Sequence, residues 1–194
     1  MSLSPAIFLD RDGVLIEDVH LLTRADEIRL FEGVPQALRI LQKSGFRLIV
    51  VSNQTVVARG LMGEAEVVNL QREVERRIAE AGGPALDGFY FCPHHPSATL
   101  TAYRLVCQCR KPQAGLLRRA AAEQDLDLES SFMVGDRVTD IIAGSRAGCR
   151  TVQVQTGRHD DPPIETGEQP DETARPDYVC ADLPAAGEWI LKVR

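Results

Sequence analysis

At 194 residues and 21.3 kDa, with 44 % apolar and 26 % charged residues, the chain has an ordinary globular composition and enough length for a sizeable core. Its net charge of −6 excludes the basic face that nucleic acid requires, and no apolar run approaches the length of a membrane span. With no basic, apolar leader and an odd number of cysteines (five), a cytoplasmic chain without a disulfide framework is expected.

Apolar runs and helical patterns alternate along the chain. Ala6 to Leu9 reads as a short strand ending in Asp10, and Arg47 to Val51 as a second ending in Ser52. Phe132 to Val134 leads into Gly135-Asp136, and Thr151 to Val154 runs toward Gly157. Helical periodicity covers Val34 to Lys43, Glu64 to Ala81, Gly115 to Gln124 and Asp140 to Ala147. This β-α rhythm with continuous apolar strands predicts an α/β fold, a Rossmann-like three-layer sandwich with a central parallel sheet buried on both faces. No repeat or linker divides the sequence, so one domain over 1–194 is expected. The stretch 157–177 carries seven acids against Arg158 and Arg175 and reads as a solvated acidic loop. No feature calls for more than a monomer.

Polar residues follow the strands where ligands bind in open α/β sheets: Asp10, Ser52 and Asp136. Asp10-Arg11-Asp12-Gly13 places two acids on one side of the chain just past the first strand, with Gly13 letting the backbone turn away. Asp136 and Asp140 add two carboxylates from a later strand end. Four converging acids repel one another unless a hard cation joins them, and oxygen donors suit Mg²⁺. Taken singly, each would be an ordinary cap or turn residue.

A second cluster has soft donors. Cys92-x-His94 and Cys107-x-Cys109 each place two ligands on one side of extended chain. Three thiolates and an imidazole make a closed tetrahedral structural zinc site, with His94 and His95 both available as the nitrogen donor. The loop runs directly into Arg110-Lys111-Pro112, so the metal would help place Lys111.

Asp10-x-Asp12-Gly-Val, then Ser52-Asn53, Lys111-Pro112 and Gly135-Asp136-x-x-x-Asp140, resemble the four ordered motifs of the haloacid-dehalogenase-type phosphohydrolases over about residues 6–148. The resemblance implies an enzyme, a phosphoric monoester hydrolase. It assigns Asp10 as the nucleophile and Asp12 as the general acid and base; Ser52, the Asn53 N–H and Lys111 bind the phosphoryl group. Catalytic Mg²⁺ would be held by Asp10, Asp136 and the Asp12 carbonyl, with Asp140 orienting Lys111 or a metal-bound water. The haloacid dehalogenases themselves lack the second acid that Asp12 supplies.

Cys-Pro-His-His-Pro, Cys-Gln-Cys-Arg-Lys-Pro, Ser-Asn-Gln and Ala58-Arg59-Gly60 resemble, more narrowly, the branch holding D-glycero-D-manno-heptose 1,7-bisphosphate 7-phosphatases and histidinol-phosphate phosphatases. This favours His94 over His95 as the zinc ligand, and implies a small flap after Gly13 with no large cap domain. A small phosphorylated metabolite is the expected partner. A second sugar phosphate would engage Arg110 foremost, with Arg59 and Arg137 as further candidates, whereas the amine of histidinol phosphate would look to Glu17 or Asp18. Thr55-Val56-Val57 replaces the usual Ser-Gly-Ile, and Leu21-Leu22 stands where a Tyr-Val pair is usual. A non-enzymatic phospho-acceptor, as in receiver domains, is the rival from another class, although receivers carry adjacent acids on the first strand and phosphorylate the third.

Overall fold

The computed structural model describes residues 3–159 and 175–194. Six strands form one parallel sheet: β1 (Ser4–Leu9), β2 (Arg47–Asn53), β3 (Gly88–Cys92), β4 (Leu126–Gly135), β5 (Arg150–Val154) and β6 (Tyr178–Cys180), in the order β3-β2-β1-β4-β5-β6. The helices are α1 (Val34–Lys43), α2 (Thr55–Ala58), α3 (Glu64–Glu80), α4 (Gly115–Gln124), α5 (Val138–Ala147) and α6 (Leu183–Val193).

Alternation along the strands divides the core into two layers. Ile7, Leu9, Leu48 and Val50 pack with Leu38 and Leu41 of α1, Val74 and Ile78 of α3 and Ile190 of α6. Ala6, Phe8, Ile49 and Val51 face the other way, onto Leu116 and Leu117 of α4 and Ala143 of α5. Helices on both faces explain why the central strands read as unbroken apolar runs. The three-layer sandwich expected from the sequence is the architecture found.

The departures are local. β4 begins at Leu126, well before the apolar run at Phe132, because its polar first half still pairs with Ser4 and Pro5. The elements β3, β6 and α6 were not among the predicted segments. Thr55-Val56-Val57 forms a helical turn with Val56 and Val57 buried, and the positive φ comes later, at Gly60 (73°). The valines therefore sit in backbone that suits them.

The strand order reverses at β1, with β2 and β3 on one side and β4 to β6 on the other. That switch point, at the carboxyl ends of β1 and β4, is where an open α/β sheet leaves a crevice. Residues 10–33 between β1 and α1 make a small flap. It is pinned by bridges from Ile16 to Asp12 and Leu30, and holds one 3₁₀ turn at Ala25–Glu27. Most of the acidic stretch, residues 160–174, lies outside the described residues.

Candidate active site

A cavity of about 330 Å³ opens at the switch point. Its lining includes Asp10, Asp12, Ser52, Asn53, Arg59, Arg110, Lys111, Arg137 and Asp140. Residues chosen from four separate stretches of sequence thus meet at one place. Asp18, Leu21 and Leu22 of the flap also line it, and Glu17 does not.

Lys111 organises the floor. Its side chain is 1 % exposed, and its Nζ lies 2.6 Å from Asp140 Oδ1, 3.1 Å from Asp10 Oδ2 and 2.9 Å from the Val51 carbonyl. Burial by itself lowers the pKa of the ammonium. Asp10 and Asp140 outweigh that and hold its pKa above the ordinary lysine range. Asp140 also caps α5, accepting the Arg137 N–H at 3.0 Å, so helix packing fixes the carboxylate that fixes the lysine. The Lys111 backbone is set by Asn53, whose Oδ1 accepts the Lys111 N–H and whose Nδ2 donates to the Lys111 carbonyl, both at 3.0 Å. The Lys111–Pro112 peptide bond is cis.

Asp136 is fully buried beside this group, and its Oδ2 accepts the Arg158 N–H at 2.7 Å. Two glycines make room for it. A Cβ on Gly13, which has φ +86°, would lie 2.5 Å from Asp136 Oδ2, and one on Gly157 would lie 2.2 Å away. Thr156 Oγ1 closes the arrangement by donating to the Gly13 carbonyl at 2.6 Å.

Carboxylate oxygens of Asp10, Asp136 and Asp140 lie within 4.8 Å of one another, and Asp136 Oδ1 is buried with no hydrogen-bond partner. Burial, then the charges of Asp140 and Asp10, push the Asp136 carboxyl up to about 8. Three crowded acids with an orphaned oxygen fit a hard divalent cation, which would remove both the repulsion and the vacancy in the hydrogen bonding.

Asp12 sits at the edge of the floor with its side chain 23 % exposed. Arg11, almost fully buried, grips both its oxygens, with Nη2 2.8 Å from Oδ2 and Nε 3.2 Å from Oδ1. Gln54 Nε2 donates to Asp12 Oδ2 at 3.2 Å and to Ser52 Oγ at 3.0 Å, while its Oε1 accepts from Arg11 at 3.1 Å. Sequence reasoning passed over Arg11 and Gln54, although both lie inside the motifs. Arg158 was counted only as one charge of the acidic stretch, and it too lines the cavity.

The soft-donor cluster closes as the spacing suggested. Cys92, His94, Cys107 and Cys109 place their ligand atoms within 4.8 Å of one another, with sulfur separations of 3.1 to 3.5 Å. His94 is the histidine that groups with the three thiols, whereas buried His95 accepts the Ser97 N–H at 3.0 Å. The Cys92 thiol, bonded first of all to Cys109, is held up, while Cys109 is lowered to about 5, chiefly by that same bond. A thiolate already stabilised among thiols and an imidazole fits a metal with a preference for sulfur. Arg110, one residue beyond, donates to the His94 carbonyl at 3.1 Å, which ties the loop to the cavity rim.

Comparison with known proteins agrees with this geometry. A family model described as HAD-hydrolase-like matches residues 108–186. The D-glycero-beta-D-manno-heptose-1,7-bisphosphate 7-phosphatase of Photorhabdus laumondii is 38 % identical, with 97 % of each chain covered. The chain belongs to the haloacid-dehalogenase-type phosphohydrolases. This phosphohydrolase is also 41 % identical to the D-glycero-D-manno-heptose-1,7-bisphosphate 7-phosphatase of Thermosynechococcus vestitus, over 96 % of its own length and 95 % of the relative's. Among solved structures it is similar to the D,D-heptose 1,7-bisphosphate phosphatase of B. bronchiseptica, complexed with magnesium and phosphate. The TM-score is 0.78 at 32 % identity, and both chains are fully covered. Among its described residues, no helix is long and apolar enough to cross a membrane.

Proposed function

We propose that this phosphohydrolase is a cytoplasmic, monomeric enzyme that removes the 7-phosphate of D-glycero-D-manno-heptose 1,7-bisphosphate through a phosphoryl group carried on Asp10. The observation that carries the reading is the Asp10 carboxylate paired with buried Lys111 at the floor of a cavity rimmed by guanidiniums. The near-full-length relatives named above support the substrate.

Asp10, Asp136 and the Asp12 carbonyl would hold magnesium, whose positive charge would let an anionic phosphoryl group approach an anionic nucleophile. Lys111 and Ser52 hold phosphoryl oxygens against Asp10. A carboxylate oxygen of Asp10 forms the new bond to phosphorus as the bond from phosphorus to the sugar oxygen breaks. Asp12 gives its proton to that leaving oxygen. It then takes a proton from the water that attacks the aspartyl-phosphate, so phosphate departs and Asp10 is regenerated. Asp140 keeps Lys111 protonated and aimed. Cys92, His94, Cys107 and Cys109 would hold zinc, which would brace the loop whose end carries Arg110 and Lys111.

Histidinol phosphate fits less well. Its amine needs an acid, but Glu17 is outside the cavity and Asp18 is already paired with Arg137 and Arg158. The rim instead suits a second phosphate, with Arg110 as its first partner. The test is phosphate release with Mg²⁺ from both anomers of heptose 1,7-bisphosphate and from histidinol phosphate. Preference for a heptose anomer, abolished in Asp10→Asn, is expected; preference for histidinol phosphate would overturn the substrate.

A further inference from the structure

On the β4–β5 side of the cavity, one flap carboxylate joins three segments of chain. Asp18 Oδ2 lies 3.3 Å from Arg137 Nη2 and 3.1 Å from Arg158 Nε, and Asp18 Oδ1 accepts the His20 N–H at 2.6 Å. The Asp18 side chain is only 9 % exposed, although it projects from a loop.

Both partners are anchored to the floor, the Arg137 N–H on Asp140 and the Arg158 N–H on Asp136. Arg137 belongs to the turn that enters α5, and its side chain is 41 % exposed. Arg158 follows β5, and its backbone is locked to the floor through the Asp136 bond, the Gly157 contact and the Thr156 bond to Gly13. The Arg158 side chain then rises from that fixed point to the flap. His20 holds φ +71° without being glycine, a strained turn that the Asp18 carboxylate helps to keep. His20, Leu21 and Leu22, just beyond, line the cavity.

We propose that Arg158 is a positioning residue that latches the flap, holding Asp18 so that His20, Leu21 and Leu22 close on the carbon skeleton of the substrate. The role rests on the phosphatase reading above, in which the reacting phosphate sits at Asp10. The latch joins the metal-binding floor to the substrate-covering flap, since one end of Arg158 touches Asp136 and the other Asp18, beside Arg137, which spans Asp140 and Asp18.

The experiment has one arm that needs no substrate. Hydrogen exchange of the Mg²⁺-loaded full chain is followed in a peptide covering 17–22, for wild type, Arg158→Ala and Arg158→Lys. The Ala variant is expected to exchange there about fivefold faster, Lys to fall between, and α6 to be unchanged as a check on folding. In turnover of heptose 1,7-bisphosphate, Arg158→Ala should raise KM about fivefold with a smaller change in kcat, and the Arg158→Ala/Asp18→Asn double variant should be no worse than Asp18→Asn alone. Unchanged flap exchange, or effects of the two substitutions that multiply, would overturn the latch. Should the heptose bisphosphate prove not to be the substrate, the exchange result still decides the latch independently.

Discussion

The floor of the cavity and its rim are built in different ways. Asp10, Lys111, Asp136 and Asp140 are at most 8 % exposed, and each makes at least one bond to the main chain: to the Arg11, Arg158 and Arg137 N–H groups, or to the Val51 carbonyl. Positions tied to strand ends and a helix start are as rigid as the sheet, which is what pre-organised phosphoryl chemistry requires. At the rim, Arg59 is exposed, Arg110 and Arg137 are half-buried, and Asp18 is held by two guanidiniums and the N–H of His20, a neighbour on the same flap. Such groups can be exchanged at small cost to the fold. On the proposed reading, the chemistry is fixed by the sheet, while the choice of substrate is left to loops.

The sharpest way to test that division begins at the floor. Asp10→Asn keeps the Arg11 contact but removes the nucleophile. Phosphate release should drop by about 10⁴-fold or more with an unchanged circular dichroism spectrum; residual turnover within tenfold of wild type would remove Asp10 from its role. Lys111→Met leaves Asp10 and Asp140 buried without their cation, at an expected cost of about 3–5 kcal/mol in urea unfolding of the magnesium-free protein. A loss below about 1 kcal/mol would mean that the floor is far less dry than its burial indicates.

Between floor and rim stands the metal loop. Cys107→Ser should abolish stoichiometric zinc in elemental analysis and lower kcat about tenfold, because Lys111 follows Cys109 by two residues. Full activity without zinc would uncouple the loop from the lysine. The smallest effect is expected at Arg59→Ala, about a threefold rise in KM and no change in kcat. A hundredfold fall in kcat there would erase the distinction between the two regions.

Much of this was legible because the central parallel strands leave apolar runs, three of them ended by a polar residue at the switch point. Asp10, Ser52 and Asp136 stand out for that reason, and the paired Cys-x-His and Cys-x-Cys advertise their own geometry. What escaped has physical causes. The first half of β4, with Asp127, Glu129 and Ser130, is polar because only Leu126 there is buried, whereas Ser131 to Gly135 all are. Gln54 and Arg11 act by touching Asp12 and one another, and a hydrogen-bonded cross-link between side chains has no periodicity to reveal it. Arg158 lies among acids whose charge pattern suggests solvent, and only the fold shows that its N–H meets Asp136.

The mutual bonds between Asn53 and Lys111 carry a wider consequence. A side-chain amide imitates the edge of a strand and brings together two points 58 positions apart, so the excursion between them leaves and returns through one gate. That excursion is no detachable insert, because β3 pairs with β2 and Val74 and Ile78 of α3 lie in the core. The amide is a clasp instead: however far the chain has travelled, it sets Lys111 down against the end of β2.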